Sequence, residues 1–128
     1  MNEKSILVVE DNPTNLKLAC DVLEWSGYKV LQAGDAEQAL KLIDQTPPDL
    51  ILMDIGLPGM DGLALTRKLK AADGTKDIRI IALTAYAMKG DEQKVLDAGC
   101  DGYISKPIDT RVLAAHVAVC LGEAEEKP

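Results

Sequence analysis

The sequence predicts an α/β fold: a doubly wound parallel sheet of five strands, with five helices on its two faces. Short continuous apolar runs such as Ile6–Val9 and Leu50–Met53 are typical of parallel strands buried on both faces. Helical patterns alternate with these runs, as right-handed strand–helix–strand crossovers require. A chain of 128 residues has room for one core. We therefore expect one domain over residues 1–122 and a short acidic tail over residues 123–128.

Turn formers and helix caps bound the predicted elements. In chain order we expect a strand over Ser5–Glu10, a helix from Pro13 to near Gly27, a strand over Tyr28–Ala33, a helix from Asp35 to the Pro47-Pro48 pair, a strand over Asp49–Met53, a helix over Leu63–Ala72, a strand over Arg79–Thr84, a short helix from Met88 or Asp91 to Ala98, a strand near Tyr103-Ile104, and a helix from Asp109 to about Leu121.

Several helix ends carry specific capping residues. Asn12 is a favoured N-cap, and Pro13 is suited to the first helical position. Asp35 is followed three residues later by Gln38, the spacing of a capping box. Gly99 ends the fourth predicted helix and suits a left-handed C-cap.

The apolar spacing also predicts which side chains face the core. In the third helix, Leu65, Leu69 and Ala72 recur at helical intervals and are expected to point inward. Trp25 and Tyr28 flank the turn after the first helix, and we expect them to pack at the rim of the core.

Composition excludes several classes of protein. The formal charge of −7 argues against nucleic acid as a direct partner, since such proteins need a basic footprint. No apolar stretch approaches the length of a membrane span, and the N-terminus has no signal-peptide pattern. The three cysteines, Cys20, Cys100 and Cys120, are odd in number and lie within apolar patterns, which favours reduced thiols in the cytoplasm.

Polar side chains follow four of the predicted strands at the point where each strand ends. Glu10 and Asp11 end the first strand, Asp54 the third, Thr84 the fourth and Lys106 the fifth. The carboxyl ends of parallel strands line one edge of the sheet, where ligands bind. Each residue alone would be an ordinary surface or strand residue. Their co-occurrence predicts a functional site at that edge.

The chemistry of these groups favours a divalent cation and a phosphoryl group. Two carboxylates ~4 Å apart repel by ~4 kcal/mol at an effective dielectric constant near 20, so three acids need a cation. A carboxylate-rich oxygen site fits Mg²⁺, with Mn²⁺ as the alternative ion. Asp54, the lone acid on the middle strand, is the candidate nucleophile for an aspartyl phosphate. Lys106 and the Thr84 hydroxyl would stabilise the developing phosphoryl charge.

Three other functions compete with this interpretation. A nucleotide-binding enzyme would need a glycine-rich phosphate cradle, but the turn after the first strand contains none. A haloacid-dehalogenase-like phosphatase also forms an aspartyl phosphate, but it would place a second acid two residues after Asp54, where this chain has Gly56. A protein of this fold that binds partners without being phosphorylated would lack some of the five key groups, and all are present.

Along nearly its whole length the sequence resembles a two-component response-regulator receiver domain, the CheY-like family. The matching motifs are VVEDN at residues 8–12, LMDIGLPGMDG at 52–62, ALTA at 82–85 and KP at 106–107. Residues 10–17 and 84–92, with the Gly99-Cys100 pair, look most like single-domain regulators of the DivK type. Receivers fused to hybrid histidine kinases carry similar stretches.

The resemblance implies a flavodoxin-like strand order 2-1-3-4-5, phosphorylation of Asp54 and roles for further residues. Asp11 and Asp54 would bind Mg²⁺ directly, Glu10 mostly through water, and Gly56 through its backbone carbonyl. Lys106 would contact the phosphoryl group and precede a cis bond to Pro107. Thr84 and Tyr103 would act as switch residues.

The expected function is therefore that of a phosphoacceptor in a phosphorelay, rather than an enzyme with efficient turnover. A histidine kinase or histidine phosphotransferase would supply the phosphoryl group, and a downstream protein effector would read it. We expect the face of the fourth helix, fifth strand and last helix to be the partner surface, with Tyr86, Lys89 and Tyr103 on it. A phosphotransfer intermediate, or a phosphate sink without switching output, stays open. His116, in the last helix, is interpreted as a surface or partly packed residue rather than a phosphotransfer histidine.

Overall fold

The protein forms one five-stranded sheet in which every pair of neighbouring strands is parallel. The computed structural model describes residues 4–55, 62–84, 89–106 and 108–122, and for residues 89–92 it describes the backbone alone. The strand order is β2-β1-β3-β4-β5. The predicted fold class and strand order are confirmed.

The helices and strands lie close to the predicted positions. Their bounds are β1 Ser5–Val9, α1 Pro13–Trp25, β2 Lys29–Ala33, α2 Ala36–Gln45, β3 Leu50–Asp54, α3 Gly62–Ala71, β4 Arg79–Thr84, α4 Lys89–Asp97, β5 Gly102–Ser105 and α5 Thr110–Cys120. The β4 prediction matches residue for residue, and the other bounds differ by one or a few residues.

Alternation along the strands divides the core between the two faces of the sheet. Leu7 and Ile51 pack in a cluster with residues of α2, α3 and α4. Ile6 and Leu52, which point to the opposite face, pack with residues of α1 and α5. All five β3 residues are buried, as expected of a strand covered by helices on both faces.

Two predicted caps form with side-chain hydrogen bonds. Asn12 Oδ1 accepts from the backbone N–H groups of Thr14 and Asn15, and Pro13 opens α1. Asp35 Oδ1 accepts from Gln38 N, but Gln38 Oε1 accepts from Gly34 N rather than from Asp35 N. The second cap is therefore a variant of the capping box, in which the Gln38 side chain bonds the backbone N–H of the residue before the N-cap.

Two predicted core positions are wrong. The Trp25 side chain is 92% exposed, because it lies two residues after the buried Leu23 and thus on nearly the opposite side of α1. Ala72 is exposed, since α3 ends at Ala71 before the helical spacing reaches it. Tyr28, by contrast, packs against the cluster on the α1 side, as predicted.

Other predictions concern single residues and are confirmed. Gly99 has a φ of 106°, which fits the left-handed C-cap expected after α4. The cysteines are free thiols; Cys20 and Cys100 are buried and Cys120 is half-buried. His116 is exposed on α5.

Among the described helices, none is long and apolar enough to span a membrane.

Candidate functional site

The five predicted site residues lie at the carboxyl edge of the sheet. Glu10 and Asp11 follow β1, Asp54 is the last residue of β3, Thr84 the last of β4, and Lys106 follows β5. β1, β3, β4 and β5 are adjacent in the sheet, and Val9 pairs with Met53. The topology therefore brings the acids of two separate strands side by side.

Backbone hydrogen bonds hold these strand ends in place. Glu10 N donates to Ala33 O at 3.0 Å, and Lys106 N donates to Thr84 O at 2.7 Å. Glu10, Asp54 and Thr84 are all buried, whereas Asp11 is exposed. Three of these side chains are thus shielded from solvent, and only Asp11 is open to it.

Lys106 joins the two buried acids. Its Nζ donates a hydrogen bond to Asp54 Oδ2 at 3.2 Å and lies 2.9 Å from Glu10 Oε1. Burial lowers the pKa of Lys106, but the contacts with Glu10 and Asp54 outweigh burial and raise that pKa above its ordinary value. Lys106 is therefore a stable cation between two carboxylates.

Glu10 is in the least favourable electrostatic position. Burial, followed by the hydrogen bond and charge of Asp54, raises the pKa of Glu10 from 4.5 to about 7, against the lowering effect of Lys106. Glu10 Oε2 accepts a hydrogen bond from Asp11 N at 3.0 Å. Glu10 Oε1 is buried as well, and the Lys106 ammonium lies 2.9 Å from it.

These residues fit a divalent cation. One carboxylate oxygen each from Glu10, Asp11 and Asp54 lies within 4.8 Å of the others. Oxygen ligands of this kind suit Mg²⁺. A second reason is charge, because the two buried carboxylates and the nearby Asp11 share the single ammonium of Lys106.

Some predicted site residues fall outside the described part of the chain. Gly56, Tyr86 and Pro107 are among them, and only the backbone of Lys89 is described, as the first residue of α4. Tyr103 lies on β5, is half-buried and packs against the cluster on the α2–α4 side. The Glu10–Lys106 contact was not predicted from the sequence, since both residues had been assigned roles only toward metal and phosphate.

Comparison with known proteins agrees with this geometry. A family model described as a response regulator receiver domain matches residues 6–118. The polar-differentiation response regulator DivK of Brucella anthropi is 46% identical over 121 residues, which is 94% of this chain and 98% of that protein.

Solved structures give the same result. A response regulator from Chloroflexus aurantiacus superposes with a TM-score of 0.91 at 30% identity, over 94% of this chain and 99% of that one. The receiver domain of a sensor histidine kinase from Pseudomonas aeruginosa superposes with a TM-score of 0.86 at 36% identity, over 94% and 99% of the two chains. That structure has a magnesium ion coordinated in its active-site cleft. This chain is a member of the response-regulator receiver domain family and so belongs to two-component signalling.

Proposed function

We propose that Asp54 accepts a phosphoryl group from a histidine kinase or a histidine phosphotransferase, and that the phosphorylated protein acts by contact with a downstream protein. The observation that carries this proposal is the position of Asp54. It is the buried last residue of the central strand, and it accepts a hydrogen bond from Lys106. Carboxylate oxygens of the two acids that follow β1 lie within 4.8 Å of one of its own.

Transfer to Asp54 needs a nucleophile and a cation aimed at the phosphoryl oxygens. An Asp54 carboxylate oxygen forms the new bond to phosphorus as the bond from phosphorus to the donor imidazole nitrogen breaks. The imidazole leaves as a neutral ring because its other nitrogen carries a proton. The Lys106 ammonium, already 3.2 Å from Asp54 Oδ2, is placed to donate to a phosphoryl oxygen. Thr84, at the end of the neighbouring strand, would present its hydroxyl to the same group.

The acid cluster would hold Mg²⁺, or Mn²⁺ as the alternative ion, through Glu10, Asp11 and Asp54, with the Gly56 carbonyl as a further ligand. When bound, the ion neutralises the carboxylates and polarises the phosphoryl oxygens. We propose no efficient turnover, because position 56 offers no second acid for general acid–base catalysis. The free thiols and the family support a cytoplasmic location.

One experiment tests the acceptor. Acetyl phosphate with Mg²⁺ should add one phosphoryl group per chain, measured by intact mass, and hydroxylamine should remove it. Asp54→Ala should abolish the modification, whereas Asp44→Ala, which removes an exposed acid of α2, should leave it unchanged. Full modification of the Asp54→Ala variant would contradict the assignment, and continuous phosphate release would favour the phosphatase instead.

The output surface would be the face formed by α4, β5 and α5. These elements line a cavity of about 690 Å³ whose wall includes Tyr103, Ile104 and Val119. Leu96 and Val112, also in this wall, are 44% and 41% exposed. A concave surface with exposed apolar side chains is typical of a protein-binding site.

Phosphorylation would change this surface through Thr84 and Tyr103. An Asp54 phosphate would draw the Thr84 hydroxyl and the end of β4 toward it, and the Tyr103 ring would turn further inward. Backbone amide shifts on adding beryllofluoride with Mg²⁺ test this. Shifts reaching Tyr86, Lys89 and Tyr103 are expected. Shifts confined to residues adjoining Asp54 would instead support a phosphotransfer intermediate or phosphate sink without switching output.

A further inference from the structure

Gly62 makes an unusually close backbone contact with the strand end that carries Asp54. It is the first residue of α3. A Cβ atom placed on Gly62 would lie 2.6 Å from the Asp54 carbonyl oxygen and 2.6 Å from Ile55 Cα. Both neighbours are backbone atoms, so no side-chain rotation can relieve the contact. The absence of a side chain at position 62 is what lets α3 start here.

Hydrogen bonds fix this approach from both sides. Gly62 N donates to Ile55 O at 3.3 Å, and the fully buried Thr66 donates its hydroxyl to Gly62 O at 2.9 Å. On the other side, Ile55 N donates to Leu83 O of β4 at 3.2 Å. The Asp54-Ile55 segment is therefore held between β4 and the first turn of α3.

Backbone conformation does not explain the glycine. Among the described glycines, Gly27, Gly99 and Gly122 have positive φ values, whereas Gly62 does not. An alanine at position 62 would meet no φ penalty, and alanine is generally the better helix former. Glycine is needed here because any side chain at position 62 would collide with the backbone of Asp54 and Ile55.

We propose that Gly62 is a positioning residue for Asp54, which sets where the carboxylate stands relative to Lys106 and Glu10. This inference rests on the proposed role of Asp54 as phosphoacceptor. A Cβ at 2.6 Å is about 0.8 Å short of the 3.4 Å at which ordinary contact begins. The Gly62→Ala substitution must therefore move α3 or the end of β3 by an appreciable part of an ångström. Displacements of ~1 Å at a reacting group cost up to ~100-fold in rate.

The test compares Gly62→Ala with two control variants. Gly74→Ala adds the same methyl group where nothing lies within 4 Å, and it should behave as the unmodified protein. Leu23→Ala removes a fully buried side chain of α1, which packs on the opposite face of the sheet from α3, so it lowers stability without disturbing Gly62 or Thr66. Phosphorylation by acetyl phosphate is measured at a temperature at which circular dichroism shows each variant to be folded. The Mg²⁺-induced shift of the Asp54 amide is titrated in parallel.

Gly62→Ala should be phosphorylated at least tenfold more slowly and should need more Mg²⁺, whereas Leu23→Ala should lower the melting temperature alone. Wild-type rate and Mg²⁺ affinity in folded Gly62→Ala would overturn the inference. If Gly62→Ala does not fold, it is replaced by Thr66→Val, which removes the hydroxyl that donates to Gly62 O. A shifted Asp54 amide together with a phosphorylation rate at least twofold lower supports the inference, and no change in either overturns it. If the wild type itself is not phosphorylated, the proposed function fails, and the Mg²⁺ titration still decides the role of Gly62.

Discussion

Removing the negative charge of Glu10 should stabilise the metal-free protein above neutral pH. Glu10 is 1% exposed, and burial together with Asp54 raises its pKa from 4.5 to about 7 despite the opposing Lys106. The folded protein therefore prefers the protonated form of this carboxyl group, whereas the unfolded chain does not. The perturbation that tests this is Glu10→Gln, which keeps the shape and loses the charge.

The magnitude follows from the difference between the two pKa values. A carboxyl group whose pKa is raised on folding contributes fully to stability below the unfolded value of 4.5, and this contribution declines as the pH rises to about 7. At about 1.4 kcal/mol per pKa unit, the loss amounts to about 3 kcal/mol between pH 4.5 and 7, with no further loss above that. The raised pKa of Lys106 changes nothing in this window, because the lysine stays protonated throughout.

Urea unfolding in EDTA at several pH values between 5 and 8 measures the effect. The free energy of unfolding of the wild type should fall by up to about 3 kcal/mol relative to Glu10→Gln as the pH rises. Glu24→Gln, which changes an exposed glutamate of α1, should follow the wild type. Parallel pH profiles for the wild type and Glu10→Gln would refute the argument that Glu10 is buried at an electrostatic cost.

Three further predictions concern other residues. At ten times its Kd, Mg²⁺ should increase the free energy of unfolding by about 1.4 kcal/mol and raise the Tm by roughly 3–5 °C, with a smaller effect in Asp11→Asn. A Tm that does not change with Mg²⁺, with calcium and EDTA controls agreeing, would contradict the metal site. Burial raises the pKa of Cys20 to about 11, so iodoacetamide at pH 8 should alkylate it at least tenfold more slowly in the folded than in the urea-unfolded protein; equal rates on peptide mapping would be inconsistent with this burial. Trp25 is the only tryptophan and is 92% exposed, so its emission maximum should hardly move on unfolding, and a strongly blue-shifted native spectrum would show that it is packed.

The sequence predicts both the fold and which residues form the site, and it does so for the same physical reason. Apolar runs and caps specify strands and helices, and in a parallel sheet each strand end has a fixed place on one edge. The residue-for-residue match of β4 shows how sharply an apolar run that ends in Thr84 defines a strand. Trp25 shows the limit, because an apolar residue next to a helical pattern need not belong to its buried face.

Contacts between side chains could not be predicted in this way. The 2.9 Å approach of Lys106 to Glu10 depends on the rotamers of two long side chains and on burial that only the assembled sheet creates. Gly62 appeared in the sequence as one of several turn formers before the third helix. Its role in making room for Asp54 depends on the separation of α3 from β3, for which a single sequence carries no signal.

Proton binding and metal binding both compensate the excess negative charge at this site. With Glu10, Asp11 and Asp54 ionised and Lys106 protonated, three negative charges face one positive charge. With its pKa raised to about 7, Glu10 reduces the excess in the metal-free protein by holding a proton below that pH. Binding of Mg²⁺ should therefore release close to one proton at pH 6, where Glu10 is mostly protonated, and almost none at pH 8. Titration calorimetry in two buffers of different ionisation enthalpy measures that proton directly. A binding heat at pH 6 that is independent of the buffer would show that Glu10 is already ionised, and that Lys106 alone offsets its charge.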